Sequence, residues 1–146
     1  MSGDRLSVRL VNDMAEITRM AGIVEDFCAR HGISSVSALK VTLALEEVLT
    51  NTISYGFADG GRHEIGLEMA YEEGELVIEI ADDGKAFDPL EAPSPDRTSP
   101  LEARPIGGLG VYLARTMMDA VDYRREGGRN HLRLRKRIAA EPGARA

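Results

Sequence analysis

A single cysteine, Cys28, stands in 146 residues, so the chain holds no disulfide framework and no Cys-rich zinc site. Cys28 falls in an apolar helical pattern and reads as a small core residue. No apolar run approaches the length of a membrane span, and the N-terminus lacks the basic-then-apolar pattern of a secretion signal. The cytoplasm is therefore the expected compartment, with no membrane contact. Basic residues are in deficit, 18 Lys and Arg against 24 Asp and Glu, and the net charge of −6 argues against direct nucleic-acid binding. No internal repeat is visible. The remaining balance, 43% hydrophobic and 29% charged, is that of one soluble globular domain large enough to bury a core.

Proline is scarce outside one stretch. Five of the six prolines (Pro89, Pro93, Pro95, Pro100, Pro105) fall together, where neither helix nor central strand can persist. A loop of that length is a lid, a binding loop or a disordered segment. Around it the periodicity is clear. Residues 5–11 alternate, with Leu6, Val8 and Leu10 on one face, as in a half-buried strand. Asn12 or Asp13 can cap a helix carrying Met14, Ile17, Ala21, Val24 and Cys28, which stops near His31-Gly32. Ser34, Ser35 and Ser37 offer caps for a long helix ending at Tyr55-Gly56-Phe57. Two alternating runs, 63–71 and 75–81, form a hairpin across Glu72-Glu73-Gly74. After the proline-rich stretch, Gly107, Gly108 and Gly110 open another helix, and two strands, 120–125 and 131–138, close the domain. Short turns between successive strands predict a mostly antiparallel sheet covered on one face by three helices, a two-layer α+β sandwich. His31 and His131 are expected at the surface.

Three separated features carry chemistry. Glu47 and Asn51 lie four residues apart on the long helix, hence on one face, one above the other. Asn is a poor mid-helix residue unless its side chain has a task, and its amide oxygen is a hard ligand suited to Mg²⁺. Glu47, one turn earlier, can take a proton from an attacking hydroxyl. Asp82 and Gly84 sit where a strand ends. There a carboxylate can accept from an exocyclic amine such as adenine's, although Asp-Asp-Gly is equally ordinary turn chemistry. The glycines at 107, 108 and 110 allow backbone N–H groups to approach phosphates at a helix N-terminus. They form neither a P-loop, since Val111-Tyr112 follows Gly110, nor a dinucleotide-binding turn, since no strand precedes them.

Taken together and in this order, the three resemble the GHKL (Bergerat-fold) ATPase superfamily. Glu47–Asn51 matches its N box, Asp82–Gly84 its first glycine box and Gly108–Gly110 its second. The runs ALEEVLTN, DDGKAFDP, GGLGVYLARTMMDAVDYRR and GGRNHLRLRKRI are most similar to the bacterial anti-sigma-factor serine/threonine kinases.

That resemblance implies a histidine-kinase-like ATPase fold over residues 1–138, an ATP lid at about 89–106 and a flexible tail at 139–146. It implies ATP and Mg²⁺ as cofactors, with Glu47 as general base and Asn51 as metal ligand. Asp82 would bind the adenine amine with Gly84 and Phe87 close to the base. Gly108, Leu109 and Gly110 would wrap the phosphates under a lid carrying Thr98, Ser99 and Arg104. The implied activity is phosphorylation of a small STAS-domain antagonist. A sigma factor is a further implied partner, and the implied assembly is a homodimer. A nucleotide-gated binding module without kinase activity is the alternative. ATP hydrolysis without a protein acceptor is a third reading, weakened by the lack of a transducer domain. One departure is visible: where the family's last strand often carries Thr in a G-N-x-x-T-like run, this chain has Arg133.

Overall fold

Strict alternation of apolar and polar residues decides the sheet. The computed structural model describes residues 4–57, 59–86 and 114–138. Within them the chain runs β1 (Asp4–Val11), α1 (Glu16–Arg30), α2 (Ser35–Tyr55), β2 (Glu64–Glu72), β3 (Glu75–Asp82), β4 (Ala120–Glu126) and β5 (Arg129–Arg137). The strands form one fully antiparallel sheet in the order β1-β2-β3-β5-β4. Ile65, Leu67 and Met69 of β2, Leu76, Ile78 and Ile80 of β3, and Leu132 and Leu134 of β5 are buried on the same face. The other face carries Glu68, Glu79, Arg133 and similar charges. This is the two-layer α+β arrangement expected from the sequence. Of the third helix, residues 114–117 are helical and its earlier part lies outside the described residues.

The helices bury matching stripes. Met20, Val24, Phe27 and Cys28 of α1, with Val41, Ala44, Leu45, Val48 and Leu49 of α2, join the strand residues in one core. Each fully buried side chain of this size contributes about 1.5–3 kcal/mol. The ion pairs Arg9–Glu64 (3.7 Å) and Arg133–Glu79 (3.5 Å) are half-exposed or more, and contribute about 0–1 kcal/mol each. The core holds the domain together.

Local signals were read correctly in most places. Ser34 caps α2, its hydroxyl accepting from the Ser37 N–H at 3.0 Å. The β2–β3 turn narrows to Glu73-Gly74, both at positive φ (53° and 78°), because Glu72 and Glu75 are themselves paired. Two expectations change. The N-cap of α1 is Ala15, with no side-chain bond. Asp13 instead accepts from the Ala15 N–H, and Asn12 turns away to bind Gly61 and His63. His31 is not a free surface residue: its ring lies 4.5 Å from that of Phe27 and 5.7 Å from that of Tyr71, and His131 is likewise half-buried.

Cys28 is 1% exposed, and burial pushes its thiol up to about 11. At about pH 8 an alkylating reagent should label the native protein at least about 100-fold more slowly than the urea-unfolded chain. Equal rates would remove Cys28 from the core.

Candidate functional site

The apolar stripe of α2 does not end in apolar residues. Counting from Val41, Ala44 and Val48, the next positions inward are Asn51 and Thr52, both buried. The inward row of β3 behaves in the same way. Leu76, Ile78 and Ile80 are followed two residues on by Asp82, which alternation carries into the interior at 5% exposure. Polar groups from a helix and a strand therefore meet at one end of the core. Val48 and Thr52 of α2 and its C-cap Gly56 line a cavity there with Ile80, Asp82, Tyr123, Asn130 and Leu132.

A buried carboxylate is costly unless hydrogen-bonded. Register supplies the partner, because Asp82 lies opposite Asn130. Asn130 Nδ2 donates to Asp82 Oδ1 at 2.9 Å, and the Gly84 N–H donates to the same oxygen at 2.8 Å. Asn130 Nδ2 also donates to the Lys85 carbonyl at 2.8 Å. Its Oδ1 accepts from Tyr123 OH at 2.6 Å and from Arg125 Nη1 at 3.1 Å. Among the described residues, no hydrogen bond is made to Asp82 Oδ2, leaving that oxygen for a ligand donor.

The turn after β3 is pressed against the end of α2. Lys85 N–H donates to the Gly56 carbonyl at 2.8 Å. A Cβ on Gly84 would lie 2.5 Å from that same carbonyl oxygen and 3.0 Å from Asp82 Oδ1. The family resemblance set Gly84 close to a base; the structure adds a demand from the protein's own backbone.

Beside this turn, His63 bridges two carboxylates. Nε2 lies 2.9 Å from Asp59 and Nδ1 3.1 Å from Asp83, with the ring stacked on Phe57 at 4.5 Å. With acceptors at both nitrogens, the doubly protonated ring is favoured. Asp59, followed by Asp83, raises the His63 pKa above its usual value. The backbone N–H of Gly61 and the imidazole hold Asp59 below its own.

Glu47 is half-buried on α2, one turn before Asn51. Asn51 is 2% exposed; it engages neighbours, while its Oδ1 is shielded from solvent with no donor on that atom among the described residues. No cluster of three or more His, Cys, Asp or Glu side chains converges on a metal position among the described residues. The donor set is thus a hard amide oxygen near a carboxylate. It fits a cation held by few protein atoms and completed by water and phosphate, which is the habit of Mg²⁺.

Comparison with known proteins shows the family. A model of the histidine kinase-like ATPase domain matches residues 10–136. The chain belongs to the histidine kinase-like ATPase family. Within it the relatives are bacterial serine/threonine kinases. The chain is 35% identical over 118 residues to the serine/threonine-protein kinase BtrW of Bordetella bronchiseptica, covering 81% of this chain and 83% of that one. It is 32% identical over 97 residues to the serine-protein kinase RsbW of Listeria monocytogenes, covering 64% and 62%. Against RsbW of Halalkalibacterium halodurans it is 30% identical and spans 56% of that protein's length. A solved structure of the RsbU and RsbW domains of a Mycobacterium tuberculosis protein superposes with a TM-score of 0.67. It covers 92% of this chain and 32% of that one at 14% identity, a likeness of fold.

Of the expected site residues, Glu47 and Asn51 lie on α2, Asp82 ends β3 and Gly84 sits in the turn that follows; of these four, Asp82 lines the cavity. Phe87, Thr98, Arg104, Gly108, Leu109 and Gly110 lie outside the described residues, as do the segment 89–106 and the tail 139–146. Arg133 is on the open sheet face, paired with Glu79, because residues three apart on a strand point to opposite sides. The polar cavity residue on β5 is Asn130, which sequence reasoning missed together with Tyr123 and Arg125. A signal was available: Asn is depleted in strands, and this one is the second residue after the Gly127-Gly128 turn.

Two outcomes test the site. Gly84→Ala should lower the unfolding free energy by about 1–3 kcal/mol in urea titrations, since backbone must shift. Gly22→Ala, with nothing within 4 Å of its Cβ, should leave stability unchanged or raise it. For His63 the folded pKa lies above the unfolded one. Its stabilisation is complete below the unfolded value of 6.5 and is lost as pH rises through the raised folded value. The melting-temperature gap between wild type and His63→Gln should accordingly be largest near about pH 6 and shrink toward about pH 9. A gap that does not change with pH would mean that the bridge carries no charge.

Proposed function

We propose that this kinase-family domain binds ATP with Mg²⁺ and transfers the γ-phosphoryl group to a serine or threonine hydroxyl of a small STAS-type antagonist protein. The observation that carries the reading is the meeting of two elements at one end of the core. Helix α2 brings Glu47 and Asn51, and its residues Val48 and Thr52 and its C-cap Gly56 share a cavity with Asp82. Adenine fits the cavity chemically, with its amine donating to Asp82. The phosphates then extend along α2 toward Asn51 and Glu47. The segment 89–106 with Thr98 and Arg104 forms the lid, and Phe87, Gly108, Leu109 and Gly110 complete the nucleotide contacts.

In this reading Glu47 accepts the proton from the partner's hydroxyl as its oxygen bonds to the γ-phosphorus and the β–γ bridge bond breaks, ADP leaving with the bond's electrons. Asn51 supplies an amide oxygen to the cation. A bound Mg²⁺ would offset the negative charge of the phosphates. Phosphorylated antagonist then loses its grip on the kinase. The kinase in turn holds a sigma factor or similar regulator, as a cytoplasmic homodimer built from one domain at 1–138.

Purified protein, labelled ATP and the candidate antagonist test the proposal directly. Glu47→Ala should reduce transfer by about 10²–10⁴-fold, the usual weight of a general base, with ATP affinity kept within about threefold. Transfer that survives Glu47→Ala would take the base role from Glu47. Wild-type protein that binds ATP yet never modifies a serine or threonine would sink the kinase reading.

A further inference from the structure

The orientation of Asn130 is not free. Its amide could in principle be turned by 180°, exchanging oxygen and nitrogen. Turned, its Nδ2 would face Arg125 Nη1, which can only donate, and its Oδ1 would face Asp82 Oδ1 and the Lys85 carbonyl, which only accept. The four contacts, at 2.6, 3.1, 2.9 and 2.8 Å, are all satisfied in one orientation alone. Arg125 and Asn130 are direct partners in the β4–β5 register, and Tyr123 lies two residues before Arg125 on the same face. Arg125 Nη1 also donates to the Gly84 carbonyl at 2.7 Å, tying the edge strand to the turn beside Asp82.

We propose that Arg125, assisted by the Tyr123 hydroxyl, is a positioning residue for base selection. It holds Asn130 so that the amide donates to Asp82 Oδ1, reserving Asp82 Oδ2 as an acceptor for an exocyclic amine. The proposal rests on the nucleotide reading of the cavity and deepens it. With Oδ1 already receiving Gly84 N–H and Asn130 Nδ2, the carboxylate is fixed in rotation and its remaining oxygen demands a donor. An adenine amine meets that demand. A purine with a carbonyl at the same place sets oxygen against oxygen in a buried site. Without Arg125 and Tyr123 the Asn130 amide is anchored on one side only, so its hold on Asp82 Oδ1 loosens, the carboxylate regains rotational freedom and its Oδ2 no longer meets the base in one fixed direction. Tyr123 and Asn130 line the cavity, whereas Arg125 acts only through Asn130 and Gly84.

The experiment compares binding of ATP and inosine triphosphate, which carries a carbonyl in place of the adenine amine, to the full chain with Mg²⁺ by calorimetry. Wild type should favour ATP by at least about 100-fold. The double variant Arg125→Met/Tyr123→Phe should lower that ratio at least about 10-fold, the worth of a charge-assisted hydrogen bond. A merely structural role would weaken both nucleotides together and leave the ratio in place, and that result overturns the proposal. If the double variant does not fold, Tyr123→Phe alone should lower the ratio about threefold or more, and an unchanged ratio overturns it equally. Wild type that binds neither nucleotide removes the nucleotide reading itself, and the selection role with it.

Discussion

The hydrogen bond between Asp82 and Asn130 is the constraint on which the site depends. It exists because β3 and β5 pair in a single register, and a slip of one residue would turn Asp82 out and Ala81 or Asp83 in. The same register places Ile78 opposite Leu134 and Ile80 opposite Leu132, so the core and the site enforce one another. A buried carboxylate is tolerable here because two donors already meet one of its oxygens. Remove the register and both the hydrophobic row and the polar floor fail together.

The turn beside Asp82 is held from several directions. Lys85 N–H reaches the Gly56 carbonyl at the end of α2, Arg125 reaches the Gly84 carbonyl from β4, and His63 bridges Asp83 to Asp59. These ties join the end of α2, the edge strand and the loop between α2 and β2 to a single short turn. Such support suits a ligand-binding floor, whose donors and acceptors must hold position within a few tenths of an ångström to discriminate.

Helix α2 serves both layers of that design. Val41, Ala44, Leu45 and Leu49 belong to the core, while Val48 and Thr52 line the cavity and Asn51 stays buried beside them. Glu47 sits at the edge of the buried stripe, half-exposed on a rigid helix.

Much of this was legible in residues 1–146 alone. Periods of 2 and 3.6 are local properties, so five strands, two helices, the Ser34 cap and the Glu73-Gly74 turn could be read from their own neighbourhoods. Glu47, Asn51, Asp82 and Gly84 stood out because their spacing places polar residues on apolar faces. Asn130 and Arg125 did not, because what gives them meaning is a partner about 40 or more residues away, and Tyr123 takes its meaning from Asn130. That partnership comes from β5 entering the sheet between β3 and β4, a choice of strand order that no local pattern contains. The role of Gly84 shifted for the same reason: only the tertiary structure brings the Gly56 carbonyl within 2.5 Å of where its Cβ would be. Sequence determined which faces would be buried, and tertiary pairing decided which polar atoms would meet there, because a hydrogen bond needs two partners in place and periodicity specifies only one.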